Sequence, residues 1–170
     1  MMFQRYRNIS GRWLYLAAAL VICAMFGGAL YIQHVLHFDP CPLCMIQRFI
    51  FIAMGVLFAM AALQNPKRSG AKIYAALISL VALSGVGVAG RHIWIQHLPE
   101  DEVPACGPGL DYMLDNFPLS EVWKELMHGS GECAQRGWTF LNLNLPEWSL
   151  ICYVLLGAWA VMIAVRASRP

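Results

Sequence analysis

Residues 13–32 read WLYLAAALVICAMFGGALYI and contain no charged side chain. A helix rises about 1.5 Å per residue, so about 20 apolar residues cross the hydrocarbon core of a bilayer. Three further stretches are similarly apolar, at residues 45–63, 73–90 and 148–165, and the first of these holds Gln47 and Arg48 near its start. The sequence therefore predicts an all-α membrane protein, in which residues 1–170 form one integral domain built as a four-helix transmembrane bundle.

The composition of the whole chain agrees with a membrane as its solvent. Hydrophobic residues make up 59% of the 170 residues and charged residues only 13%, whereas soluble domains carry about 25% charged residues. The first stretch is predicted to be a retained helix, because it is too long for the core of a signal peptide and Gln33 and His34 follow it directly.

Charged residues are distributed unevenly between the connections, and this predicts the orientation. Three segments contain basic residues and no acid, namely the N-terminal tail, the connection at residues 64–72 and the C-terminal tail. The acids are Asp39 and nine residues between Glu100 and Glu147. Because Lys and Arg favour the cytoplasmic side, both termini are expected in the cytoplasm and the loops 33–44 and 91–147 on the opposite face.

Four of the six cysteines fall in those two loops. Cys41 and Cys44 lie in the first loop, and Cys106 and Cys133 lie in the second. The outer face of a bacterial inner membrane is oxidising and permits disulfides. The other two cysteines, Cys23 and Cys152, are interpreted as small hydrophobic residues at helix interfaces.

The segment Pro40-Cys41-Pro42-Leu43-Cys44 opens the second span with a CxxC motif. Cys44 is expected in the first helical turn, where unpaired backbone N–H groups and the positive end of the helix dipole favour a thiolate. Arg48 follows four residues later on the same helical face. An ionisable residue inside a span indicates a functional site; the alternative is that Arg48 extends to the lipid headgroups.

Cys106 and Cys133 both stand in glycine-containing segments with flexible backbone. Two interpretations remain open: a disulfide that closes the long loop, or a mobile disulfide that meets a partner protein. Between the two cysteines, residues 119–127 place apolar side chains on one helical face. This pattern predicts a short amphipathic helix lying on the membrane surface, with an ordinary packed turn as the alternative.

Two apparent cofactor motifs are rejected. The sequence GVGVAG at residues 85–90 matches a dinucleotide fingerprint, but it lies inside a span and follows no strand. Its small residues are predicted to let helices approach closely. His34, His37 and the CxxC pair could suggest a metal site, but Cys106 and Cys133 do not form a second closely spaced pair. Neither a metal nor a nucleotide is therefore expected as cofactor.

Several motifs together resemble the disulfide bond formation protein B (DsbB) family over nearly the whole chain. They are Gln33-His34-Val35, the CxxC segment with Arg48, the region of His92, the cysteine pair of the second loop, and Pro146-Glu147-Trp148. The resemblance implies a disulfide-generating thiol:quinone oxidoreductase of the bacterial inner membrane, whose catalytic loops face the periplasm. Its cofactor would be a quinone, either ubiquinone or menaquinone, held against the second helix.

The resemblance also implies a role for each site residue. Cys41 and Cys44 would form the quinone-linked pair, and Arg48 and His92 would lie beside the quinone; the alternative for His92 is a polar residue at the membrane interface. Cys106 and Cys133 would form the pair that meets a periplasmic thioredoxin-fold thiol oxidase of the DsbA type. Cys106 is expected to form the mixed disulfide, after which Cys133 attacks Cys41 and releases the Cys44 thiolate. Membrane lipid is the other expected partner, and nucleic acid is not one.

Two other classes of protein stay open at this point. One is a quinone reductase of the vitamin K epoxide reductase type, which also carries a CxxC motif at a helix bundle but arranges its other cysteines differently. The second is a non-enzymatic membrane protein whose long loop is closed by a Cys106–Cys133 disulfide.

Overall fold

A computed structural model describes residues 10–37, 40–99, 101–103, 110–129, 131–135 and 137–168. Four long helices dominate it: α1 (Gly11–His34), α2 (Pro42–Gln64), α3 (Arg68–Ile95) and α6 (Leu145–Ser168). Each is long and apolar enough to cross a membrane. The predicted all-α, four-helix membrane bundle is thereby confirmed.

Smaller elements fill the connection between α3 and α6. They are α4 (Leu110–Asn116), α5 (Leu119–His128), a 3₁₀ turn (Gly131–Ala134) and a two-stranded antiparallel hairpin, β1 (Thr139–Phe140) with β2 (Leu143–Asn144). The helix predicted at residues 119–127 is therefore present as α5. Val122 in α5 is buried and Leu119 is exposed, and its position on a membrane surface stays a prediction.

The ends of the long helices follow from local chemistry. Pro42 occupies the first turn of α2, where its missing N–H costs no intrahelical bond. Asn65 ends α2 in the left-handed conformation, with φ of 46°. At the start of α6, the Asn144 side chain accepts from the Glu147 backbone N–H, and the Glu147 carboxylate accepts from the Asn144 N–H. This reciprocal capping box fixes where α6 begins.

The four helices pack in the order α1, α2, α3, α6, and α3 and α6 make the most extensive contact. Buried apolar side chains from all four form one core, including Tyr15, Phe58, Ile78 and Ile163. Many large apolar side chains also point outward and are more than half exposed, among them Leu20, Leu63, Leu80, Leu83 and Leu155. An apolar exterior over a packed core is the arrangement expected in lipid.

Gly85, the first residue of the GVGVAG segment, packs closely against a neighbouring helix. A Cβ atom on Gly85 would lie 2.7 Å from three ring carbons of Tyr153 in α6. The glycine therefore lets α3 and α6 approach each other at the level of a buried tyrosine. The helix-packing interpretation therefore holds for Gly85, whereas a Cβ atom on Gly87 or Gly90 would meet nothing within 4 Å.

The end of α3 and the start of α6 meet at one end of the bundle. The Asn144 side-chain amide donates to Gln96 Oε1 at 2.6 Å, which ties the start of α6 to the end of α3. At the opposite end, Trp159 Nε1 of α6 donates to the Leu14 carbonyl of α1 at 3.2 Å. We call the first of these the cysteine end, because Cys41, Cys44 and Cys133 lie there.

The two cysteines within the spans have different environments. Cys152 is partly buried and packs against the core. Cys23 is exposed on the outer face of α1, so the expectation that it sits at a helix interface is wrong. The sequence could not show that Cys23 faces outward, because nearly every position of α1 is apolar and no polar face marks its exposed side.

Candidate active site

Cys41 and Cys44 stand at the beginning of α2. Cys41 is the residue that precedes the helix, and Cys44 lies in its first turn. Their Sγ atoms are 3.3 Å apart as thiols, close enough for a disulfide to form with small side-chain rotations. The N-terminal turn also presents unpaired backbone N–H groups, and these stabilise a negatively charged sulfur.

His92 comes from the last turn of α3 and lies next to this pair. Its Nε2 atom is 3.7 Å from Cys41 Sγ, and its Nδ1 atom is 3.2 Å from the Gln47 side-chain nitrogen. His92 is 2% exposed and Gln47 is 3% exposed. Gln47, His92 and Cys41 therefore form a continuous buried chain of polar contacts.

Tyr153 of α6 packs beneath Gln47 and fixes its position. Its hydroxyl donates to the Gln47 backbone carbonyl at 2.8 Å. Its ring stacks on Phe51, with centroids 4.2 Å apart and planes 16° from parallel. Since Gly85 makes room for the same ring, α2, α3 and α6 all define the position of Gln47.

Cys133 is brought to the same place by the 3₁₀ turn. It is fully buried and packs in one cluster with Cys41, Leu43 and Ile95. The Sγ atoms of Cys133 and Cys41 and a ring nitrogen of His92 all lie within 4.8 Å of one another. Cysteines separated by most of the chain are thus close enough for thiol–disulfide exchange.

Gly129 allows the chain to enter this turn. It has a left-handed φ of 82°, and a Cβ atom there would lie 2.5 Å from Ile95 Cδ1. Both observations require glycine at this position. Leu43 is the next nearest side chain, at 3.6 Å, so the backbone that leads to Cys133 rests directly on α2 and α3.

Arg48 is held inside the bundle by α1. Its guanidinium donates to the Gln33 side-chain oxygen, and its Nη2 atom lies 3.4 Å from the Ala29 carbonyl. The residue is partly buried. These contacts direct the Arg48 side chain toward α1, and its functional role stays a prediction.

A cavity of about 550 Å³ adjoins these groups. Its apolar wall comes largely from α1 and α6, and Cys41, Cys44, Arg48 and His92 line its polar side. The hairpin aromatic Phe140 and the α6 residue Trp148 also line it; their rings are 6.2 Å apart, and Trp148 Nε1 donates to the Phe140 carbonyl. Pockets of this size and mixed lining hold small organic ligands.

Five of the six site residues proposed from the sequence thus meet at the cysteine end: Cys41, Cys44, Cys133, Arg48 and His92. Cys106 lies outside the described residues. Sequence reasoning did not assign roles to Gln33, Gln47 and Tyr153. Gln47 carried a detectable signal, since it is a polar side chain beside Arg48 in an apolar span, but its contact with His92 depends on packing between α2 and α3.

The fold and the site together define a class, a multi-pass helical membrane protein with a buried cysteine cluster beside an apolar cavity. The family profile described as disulfide bond formation protein DsbB matches residues 11–163. A disulfide bond formation protein B of Nitrosococcus oceani is 48% identical over 88% of this chain and 89% of its own. That of Hahella chejuensis is 46% identical over 95% of this chain and 97% of its own.

A disulfide bond formation protein B of Acinetobacter baumannii is 48% identical over 89% of this chain and 86% of its own length. The chain therefore belongs to the DsbB family. It is a disulfide bond formation protein, and the family makes it a disulfide oxidoreductase.

Proposed function

We propose that this protein is a thiol:quinone oxidoreductase that reoxidises a DsbA-like thiol oxidase and passes the electrons to a membrane quinone. The observation that carries the proposal is the position of Cys41, which lies 3.3 Å from Cys44 and within 4.8 Å of Cys133. The sulfur of Cys41 is thus close to the other cysteine of the CxxC motif and also to a cysteine from the distant loop.

The first exchange takes electrons from the partner protein. A thiolate of the reduced partner attacks the Cys106–Cys133 disulfide at Cys106, and the Cys133 thiolate leaves. The second partner thiol then releases the oxidised partner, so that two electrons and two protons stay on Cys106 and Cys133. The loop that carries these cysteines is acidic, which influences the rate of encounter with a partner more than the affinity.

The second exchange moves the disulfide between the two pairs. Cys133 attacks Cys41 of the Cys41–Cys44 disulfide, forms a Cys41–Cys133 bond and releases the Cys44 thiolate. Cys106 then attacks Cys133, the original loop disulfide re-forms, and Cys41 leaves as a thiolate. His92 Nε2, 3.7 Å from Cys41 Sγ, stands where an N–H group can stabilise that leaving sulfur.

The cavity residues fit a quinone. The volume of about 550 Å³ and the apolar wall suit an isoprenoid-linked ring, and Arg48 and His92 supply polar contacts on one side. A bound quinone would accept two electrons and two protons. Arg48 and His92 would hold it beside Cys44, and the first turn of α2 stabilises the Cys44 thiolate before the Cys41–Cys44 disulfide re-forms.

A quinone also suits the energetics of the relay. A DsbA-type oxidant has a potential of about −120 mV, well above the glutathione pool. Only a more strongly oxidising acceptor can keep such a protein oxidised, and quinones are dissolved in the bilayer that the four helices are built to cross. The proposed location is the bacterial inner membrane, with the cysteine end toward the periplasm, in agreement with the Lys and Arg distribution.

The test is quinone reduction by the purified full-length protein in detergent, with a reduced thioredoxin-fold thiol oxidase as electron donor. Cys44→Ser should abolish turnover, and Arg48→Ala should raise the quinone concentration needed for half-maximal rate. Cys23→Ser, on the outer face of α1, is the matched control and should behave as the unmodified protein. Full activity of Cys44→Ser, or no turnover of the unmodified protein with either ubiquinone or menaquinone, would refute the proposal.

A further inference from the structure

We propose that the reduced protein carries a binding site for Zn²⁺, formed by Cys41, His92 and Cys133. Their ligand atoms all lie within 4.8 Å of one another, and all three residues are buried. Thiolate sulfur and imidazole nitrogen are the ligands that zinc prefers in proteins. The site is distinct in chemistry from the redox relay, because it needs neither a quinone nor a partner protein.

The spacing of the ligand atoms suits a tetrahedral ion. Bonds of about 2.3 Å to sulfur and about 2.0–2.1 Å to nitrogen place neighbouring ligand atoms about 3.5–3.8 Å apart. The distance from Cys41 Sγ to His92 Nε2 is already 3.7 Å. The remaining distances are at most 4.8 Å. Side-chain rotations that move the ligand atoms by about 1 Å or less would bring these distances to the required value.

The surroundings of His92 support its role as a ligand. Its Nε2 atom faces Cys41, and Gln47 contacts the opposite ring nitrogen. A metal at Nε2 places the ring proton on Nδ1. After a half-turn of the Gln47 side-chain amide, its oxygen accepts a hydrogen bond from this Nδ1–H group. Metal-binding histidines characteristically have such a hydrogen-bond partner behind the ring.

The three ligands come from three separate segments: the residue preceding α2, the last turn of α3 and the 3₁₀ turn. The spacing rules that argued against a metal in the sequence consider only neighbouring ligands, and so they could not detect this set. Three protein ligands leave the fourth position to water, as in accessible zinc sites. Such an ion would be captured from the surroundings and would not serve the oxidoreductase as a cofactor.

Binding must depend on the redox state. A disulfide between Cys41 and either Cys44 or Cys133 removes a thiolate ligand, so only the dithiol form can hold the ion. Conversely, a bound Zn²⁺ occupies the sulfurs that must form the disulfide. We therefore expect Zn²⁺ to hold the protein in its reduced form.

The experiment titrates Zn²⁺ into the full-length protein in detergent against a chromophoric chelator, with quinone and partner protein left out. The reduced protein should bind one Zn²⁺ per chain, and the oxidised protein should lose this binding. Cys41→Ser and Cys133→Ser should each weaken it at least about tenfold, since each removes a thiolate ligand. Cys23→Ser is the matched control and should retain the affinity.

Circular dichroism verifies that each serine variant folds, and because the two substitutions are isosteric and independent, either folded variant decides the question. Equal Zn²⁺ binding by the reduced and oxidised forms would overturn the proposal, and so would an unchanged affinity in a folded serine variant. Failure of the protein to reduce quinone would refute the proposed function and leave this measurement unaffected.

Discussion

The side-chain nitrogen of Gln47 lies 3.2 Å from Nδ1 of His92, on the side of the ring opposite Cys41. Gln47 is buried and has its backbone fixed by the Tyr153 hydroxyl. The amide therefore sets the orientation of the imidazole and leaves Nε2 directed at the sulfur. Gln47 acts on Cys41 only through His92, which makes it a positioning residue.

Replacement of this amide should slow the reaction at Cys41. Gln47→Met keeps the size of the side chain and removes its contact with His92, and a hydrogen bond of this kind contributes about 0.5–1.5 kcal/mol. Turnover with the partner should fall by up to about tenfold. Gln64→Met, at the exposed end of the same helix, is the control. Equal rates in both variants would contradict the positioning role.

The contact between Arg48 and Gln33 should govern affinity for the quinone. Arg48→Lys keeps the charge but cannot reach both Gln33 and Ala29 with a planar fork. We expect the quinone KM to rise at least about tenfold, since a hydrogen bond to a charged group contributes about 1.5–3 kcal/mol. Gln33→Leu should also raise the quinone KM. Arg12→Lys, at an exposed position at the start of α1, is the control for any general effect of replacing arginine by lysine. An unchanged KM in Arg48→Lys would exclude this role.

A methyl group at Gly85 should destabilise the bundle. The added Cβ atom meets three carbons of the Tyr153 ring at 2.7 Å, and overpacking of this kind costs about 1–3 kcal/mol. Thermal unfolding in detergent should therefore show a lower Tm for Gly85→Ala. Gly87→Ala lies two residues away with open space around the new atom, and its Tm should not fall. Identical behaviour of the two variants would argue against close packing at Gly85.

Gly129→Ala should impair exchange between Cys133 and Cys41. The substitution forces a left-handed φ on alanine, at a cost of about 1–2 kcal/mol, and adds a contact of 2.5 Å with Ile95 Cδ1. In a background that lacks Cys44 and Cys106, less Cys41–Cys133 disulfide should form under mild oxidation, as measured by non-reducing peptide mapping. Ile95→Val removes the clashing carbon and should restore part of the yield. No loss of crosslinking in Gly129→Ala would show that the 3₁₀ turn does not depend on this glycine.

The helices could be predicted because a bilayer imposes a length and an apolar composition on each span. The packing partners of each helix could not, since residues such as Cys23 and Cys152 stand in equally apolar sequence and differ only in which face meets a neighbour. Gly85 was correctly assigned to helix packing, although Tyr153 as its partner emerges only from the arrangement of α3 and α6.

The candidate site divides along similar lines. The CxxC pair and Arg48 lie within eight residues of one another, so helical geometry alone relates them. The meeting of Cys41 with His92 and Cys133 joins segments far apart in the chain, and only the resemblance to a family indicated that these residues act together. The resemblance did not point to Gln47, and its role could not be predicted because it depends on a contact with His92 across two helices.

The hydrogen bond from Trp159 to Leu14 closes α1 against α6 at one end of the bundle, whereas the cavity separates the same two helices at the cysteine end. Both helices are long and apolar enough to cross a membrane. In the proposed function, a lipid-dissolved quinone would approach the thiols sideways, between α1 and α6, while the partner protein would approach from the loops. Such an arrangement would give the two proposed reactants separate routes to one set of sulfurs, and neither would have to leave its own solvent.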